Sequence, residues 1–189
     1  DNREVLLYLG SLDEENKEFE RAETTLLTGL SIDPDHVRLR FRLGVVYDNW
    51  ERKEDSIREM KKVIELEPEN ASALNYLGYT YADLGIHLKE AEALIKEALK
   101  HKPDDGYITD SLGWVYFKME RYEEALVYLQ KAAELTPGDP IIMEHVGDAH
   151  AKLNDTENAV KYYRLSLEKG NTDPEAVQRK IDALLKNSQ

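Results

Sequence analysis

A dipeptide recurs along this chain at a fixed step. Leu9-Gly10 returns as Leu43-Gly44, Leu77-Gly78 and Leu112-Gly113, and once more as Val146-Gly147, which sets the glycines 34, 34, 35 and 34 residues apart. Two further series keep that register: Pro34, Pro68, Pro103 and Pro137, and the small residues Ala22, Ser56, Ala91, Ala125 and Ala159. Self-similarity at such a step marks a repeat array, in which each unit buries its apolar face only against its neighbours. Five units and a C-terminal remainder fill the 189 residues.

The fourth unit shows why the slots hold these residues. Leu112 and Tyr116 lie four apart and share one helical face, while Ala125, Leu129 and Ala132 make a matching stripe on a following helix. Gly113 and Ala125 are small because two antiparallel helices must approach closely there, and Pro137 stops the second helix before the next unit begins. Asp139-Pro140 and Asp173-Pro174 each supply an N-cap followed by a proline in the first turn.

Leu-Gly, then Tyr, then Ala, then Pro in this register resembles the tetratricopeptide repeat (TPR) family from about Arg3 to Asp173. The resemblance implies an all-α fold, a right-handed superhelical solenoid of helix-turn-helix units at 3–36, 37–70, 71–105, 106–139 and 140–173, closed by a capping helix at 174–187. That last stretch sets Val177, Ile181, Leu184 and Leu185 on one face. No comparable cap stands at the N-terminal side, and the chain starts at Asp1 with neither Met nor a basic, apolar signal segment, so a fragment preceded by further repeats is expected. Unit three is one residue longer, and comparing Leu84 to Ala91 with Met119 to Ala125 puts the extra residue in the turn between its helices. That turn is expected to bulge, either presenting Ile86 or His87 as a contact or simply tolerating the insertion. Units one and five carry Asp13 and His150 where the others have Tyr47, Tyr81 and Tyr116, and both are expected to be the more exposed.

In the TPR family the first helix of every unit lines the concave face. The resemblance therefore places in a groove Glu4, Leu7, Tyr8 and Ser11 from unit one, Arg38, Phe41, Arg42, Val45 and Asn49 from unit two, and Asn75, Tyr76, Tyr79 and Asp83 from unit three. Unit four adds Tyr107, Asp110, Ser111, Trp114, Phe117 and Lys118, and unit five Glu144, His145, Asp148 and Lys152. Tyr76, Tyr79, Trp114 and Phe117 sit off the core stripe of their own helices, which fits either a contact surface or packing on a neighbouring unit. Rings beside amide and carboxylate groups suit an extended peptide, whose backbone Asn75 can meet with both a donor and an acceptor. The expected binding residues are thus Arg38, Phe41, Arg42, Asn75, Tyr76, Tyr79, Tyr107, Asp110, Trp114, Phe117, Lys118, Glu144 and Asp148. The basic clamp with which some family members grip a C-terminal carboxylate is not matched in any alignment of units.

The formal net charge is −13, from 38 acidic and 25 basic residues, with no segregated basic stripe, so nucleic acid is not an expected partner. No apolar run approaches the ~18 residues of a membrane span, and direct membrane insertion by this segment is not expected. Cysteine is absent, which excludes disulfides, thiolate zinc sites and cysteine nucleophiles together. His145, Asp148 and His150 lie close in sequence, but helical spacing turns His150 away from His145, and no phosphate loop or nucleophile elbow occurs. No catalytic residue, metal or cofactor is expected. Leu74 to Tyr79, Gly85 to Leu88, Asp110 to Tyr116 and His145 to Asp148 resemble the C-terminal repeats of large bacterial TPR adaptors, some of them envelope lipoproteins acting with processing proteases. That resemblance implies a bacterial adaptor and leans to the periplasmic face of the envelope. The reading is a non-catalytic interaction module for a peptide segment or folded partner. The alternative is a scaffold, including a homo-oligomer, that associates through its ends or convex face.

Overall fold

The structure, a computed structural model, describes residues 2–187 and contains eleven helices among them, with no strand. The first helices of the successive units are α1 (Asn2–Glu15), α3 (Val37–Asn49), α5 (Ala71–Leu84), α7 (Gly106–Lys118) and α9 (Pro140–Lys152). Their partners are α2 (Phe19–Ile32), α4 (Lys53–Leu66), α6 (Leu88–His101), α8 (Tyr122–Leu135) and α10 (Thr156–Glu168), followed by α11 (Pro174–Asn187). Each first helix packs on its own partner and, from α3 onward, on the second helix of the unit before it, and first helices also meet one another, as α1 with α3 and α5 with α7. The first helices therefore form the inner surface and the second helices the outer one.

The ends of these helices follow from local chemistry. Asn70, Asp105 and Asp139 accept hydrogen bonds from the first-turn N–H groups of α5, α7 and α9, satisfying donors that have no intrahelical partner. Every first helix stops at a residue with positive φ, namely Lys17, Glu51, Gly85, Glu120 and Asn154. The next N–H then reaches back to the carbonyl of Asp13, Tyr47, Tyr81, Tyr116 or His150 at 2.8–3.0 Å, the bond that closes a left-handed helix terminus. In unit three one more residue follows that bond: His87 takes a second positive φ of 48° as the N-cap of α6. Ile86 is exposed there, while the His87 ring lies 5.1 Å from that of Tyr81.

The hairpins are held by close approach at the repeated glycine. A Cβ on Gly113 would stand 2.7 Å from Leu129 Cγ and 3.1 Å from the Leu129 backbone nitrogen, and one on Gly78 would stand 2.6 Å from Ile95 Cγ1. Around these contacts Leu112, Val115, Ala125, Leu129 and Ala132 are buried, as are their counterparts in units two, three and five.

Units one and five are the ones expected to be more exposed, yet their Asp13 and His150 are themselves buried. Asp13 meets Arg21 at 3.1 Å, and His150 Nδ1 lies 3.0 Å from Asp155 Oδ2 with its ring stacked on Tyr162, so polar partners replace the tyrosine at the same depth. The exposure of unit one falls instead on Val5, Leu9 and Leu12, at 56, 40 and 40%. One repeat later the equivalent Leu39, Leu43 and Val46 are buried beneath α2. In α11, Val177 and Ile181 are buried on α10, whereas Leu185 is 42% exposed.

The glycine contacts generate an asymmetric expectation. At Gly44 the nearest atom to an added Cβ is the mobile terminal methyl of Met60, so Gly44→Ala should leave stability within about 1 kcal/mol of the parent or raise it through helix propensity. Gly113→Ala meets a branched carbon and a backbone nitrogen and should cost about 1–3 kcal/mol. Urea unfolding of the two variants followed by circular dichroism checks the difference.

Candidate functional site

The inner surface holds a cleft of about 320 Å³ where α5, α7 and α9 converge. Asn75, Tyr76 and Tyr79 reach it from α5, Tyr107, Asp110 and Ser111 from α7, and Ile141, Ile142 and His145 from α9, with Asp139 at its edge. Within each helix these positions are one, three or four residues apart, so they share one face. The walls are rings and aliphatic chains, and few polar groups point in.

Asn75 lines the cleft, and its Oδ1 atom is buried and without a hydrogen-bond partner. Leaving a desolvated acceptor unmet costs about 1–3 kcal/mol, and such a group in a folded protein calls for an explanation. Asp110 and His145 are both buried, and His145 Nδ1 stands 3.0 Å from each carboxylate oxygen of Asp110. Burial by itself penalises the His145 imidazolium, but the Asp110 carboxylate beside it, with Asp148 and Glu144 further off, outweighs that and raises its pKa above the usual value. The Tyr79 phenol is pushed up to about 12, first by burial and then by the carboxylates of Asp83, Asp110, Asp48 and Glu144.

The expected groove residues separate into four places. Asn75, Tyr76, Tyr79, Tyr107 and Asp110 gather at the central cleft. Arg38, Phe41 and Arg42 line a second, shallower cleft of about 260 Å³ with Leu7, Val37, Asn70 and Ser72. Its basic character is offset, since Arg38 bonds Glu4 at 2.7 Å and Arg42 bonds Glu14 at 3.1 Å. Trp114, Phe117 and Lys118 make a stacked column: the Trp114 ring lies 4.2 Å from that of His145 and 4.8 Å from that of Phe117, with Lys118 Nζ 5.4 Å from it. Glu144 and Asp148 are engaged by the end helix, where Lys180 bonds them at 2.8 and 2.7 Å. Tyr76 is tied on one side as well, donating its hydroxyl to Asp48 at 2.9 Å and meeting Phe41 edge-on.

Sequence reasoning missed Ile141, Ile142 and Asp139 as members of the cleft. Ile141 stands one repeat after Tyr107 and was therefore findable from the register, whereas Asp139 reads only as a helix cap. His145 and His150 belong to separate pairs, with Asp110 and Asp155. Among the described residues no three His, Cys, Asp or Glu side chains are grouped to hold a metal, and no helix is long and apolar enough to cross a membrane.

The Asp110–His145 pair gives stability a pH dependence whose sign is fixed. Because the folded-state pKa of His145 is raised, its contribution is complete below the unfolded value of about 6.5 and disappears as pH rises through the folded value. Thermal midpoints of the parent should therefore decline across that window relative to His145→Gln, which lacks the titrating ring. A parallel pH dependence in the two proteins would count against the pair.

The comparisons follow this geometry. The profile of the family described as Tetratricopeptide repeat matches residues 15–189. A TPR repeat-containing protein of Pseudomonas aeruginosa is 34% identical over 114 residues, covering 60% of this chain and 19% of that protein. The peroxisomal targeting signal receptor of Kluyveromyces lactis is 29% identical over 109 residues, covering 58% of this chain and 19% of the receptor. The matched stretch is thus about a fifth of the length of these curated relatives. Among solved structures, Pseudomonas aeruginosa PilF superposes with a TM-score of 0.80 at 22% identity, over 99% of this chain and 86% of that one, which shows the fold. The Pseudomonas aeruginosa relative agrees with the bacterial character read from the sequence. From the profile match and the helical hairpins together, the chain belongs to the tetratricopeptide repeat family, a family of protein-protein interaction modules.

Proposed function

We propose that this chain is a non-catalytic adaptor that holds an extended segment of another protein along its inner face, seated at the cleft between α5, α7 and α9. The observation that carries the reading is an inner-face cleft walled by Tyr76, Tyr79 and Tyr107 and lined by Asn75. Most other charged groups of the inner face already have partners: Arg38 with Glu4, Arg42 with Glu14, Lys53 with Asp48 and Lys180 with Asp148. Apolar side chains of the segment would cover Tyr107, which is 59% exposed. The rings are rigid and lose little freedom on binding, which suits them as anchors.

A second reading rests on the bare stripe of α1. Val5, Leu9 and Leu12 are exposed where the matching residues of α3 lie under a preceding helix, so self-association through that end would hide apolar surface.

Two measurements separate these readings. Panning a random dodecapeptide phage library against the chain should yield binders whose affinity falls about tenfold or more, about 1.4 kcal/mol, on Tyr79→Ala. The unfolding midpoint of that variant should stay near the parent's, and binders indifferent to it would sink the groove reading. Under the second reading, sedimentation velocity should show concentration-dependent assembly that Leu9→Glu abolishes. A chain that stays monomeric at every concentration would eliminate that reading.

A further inference from the structure

The central cleft carries a charge imbalance that the peptide-binding reading leaves unused. Glu144 and Asp148 share the single cation Lys180. Asp139 has no salt-bridge partner among the described residues, because its Oδ1 atom is turned to the N–H groups of Ile141 and Ile142. Asp110 is matched only by His145, while Lys53 bonds Asp48 and is also within the field of Asp83. The largest charge effects on the Tyr79 phenol come from the carboxylates of Asp83, Asp110, Asp48 and Glu144. The carboxylates that line the cleft, Asp110 and Asp139, face no lysine or arginine among its lining residues, in a chain whose formal net charge is already −13.

We propose that this cleft selects an arginine side chain of the bound segment, its guanidinium lying against the Tyr79 and Tyr107 rings beside the carboxylates of Asp110 and Asp139. The inference rests on the groove reading above and deepens it. Three features converge on that occupant. A planar, delocalised cation packs on aromatic faces while keeping its edge donors free. A guanidinium offers five donors and no competing acceptor to a lining that includes Asp110, Ser111 and Asp139. The surrounding carboxylates favour a cation electrostatically and oppose an acidic guest. A lysine fills the charge requirement but not the planar one, and glutamine offers a donor without the charge.

The test uses dodecapeptides recovered from the phage library whose binding is lost on Tyr79→Ala. Among these, arginine should be enriched at one aligned position. In titration calorimetry of one such peptide, changing that arginine to glutamine should weaken binding at least tenfold and changing it to glutamate should abolish it. Lysine should fall between the parent and glutamine. On the protein side Asp139→Asn keeps a side chain able to cap α9 while removing a charge. It should weaken the arginine peptide severalfold and leave the glutamine peptide unchanged, whereas Gln130→Ala on the exposed side of α8 should alter neither. If peptides lost on Tyr79→Ala show no basic enrichment, or bind equally with glutamine, the arginine inference falls while the groove reading stands. If no recovered peptide responds to Tyr79→Ala, both fall together.

Discussion

Each unit of this solenoid is set by how near two antiparallel helices can come at one glycine. Gly113 against Leu129 and Gly78 against Ile95 leave no room for a Cβ, so the paired helices lock in a single rotational setting. Once that rotation is fixed, the remaining faces of the first helix are fixed with it. One side carries Leu112 and Val115 into the core, and the opposite side carries Tyr107, Asp110 and Trp114 to the inner surface. The cleft is thus a consequence of the hairpin contact, since a helix free to roll would scatter the residues that α5, α7 and α9 bring together.

Between units the inner and middle layers are stitched by a recurring polar device. At the slot of Asp13 and His150, Tyr47 donates to Glu23 and Tyr116 to Glu92, and at a different position of its helix Tyr76 donates to Asp48, each partner lying in the preceding unit and at 2.8–3.0 Å. A phenol suits this position because its ring supplies apolar area while its hydroxyl reaches a carboxylate at the rim. Where the tyrosine is missing, as at Asp13 and His150, the chain keeps the site buried by providing Arg21 or Asp155 instead. Burial at these slots is dictated by the stacking of units, and the side chain adapts to it through its partner. The Asp110–His145 pair follows the same logic one layer inward, joining α7 to α9 at the cleft's edge.

The fold was legible in the sequence because its determinants are local and repeated. Leu-Gly, the small residue of the second helix and the terminal proline recur in register, and each reports a contact made within one hairpin. The cleft was legible only in part. Asn75, Tyr76, Tyr79, Tyr107 and Asp110 do converge, since the register that orders the core also orders the face opposite to it. Trp114 and Phe117 were readable as off-stripe rings, but that His145 stacks on Trp114 depends on how α9 sits against α7, across a separation the period does not encode. Glu144 and Asp148 stood in the right register too, yet Lys180 of the end helix engages them. No periodic argument reaches a contact made by a helix that occurs once.

This division explains why a repeat fold and its ligand are read with unequal ease. Residues that hold the hairpins, such as Gly113, Ala125 and Leu129, form a set disjoint from those lining the cleft, such as Asn75, Tyr79 and Tyr107. The first set is constrained by sterics that every unit shares, so it repeats. The second faces outward from the same helices and is free of that constraint, so it differs from unit to unit: the position of Asn75 is occupied by Leu7, Phe41, Asp110 and Glu144 in the others. Chemical identity along the inner face is therefore carried by the non-repeating residues, and the buried, unmet oxygen of Asn75 is where that freedom leaves a polar group whose partner the fold itself does not supply.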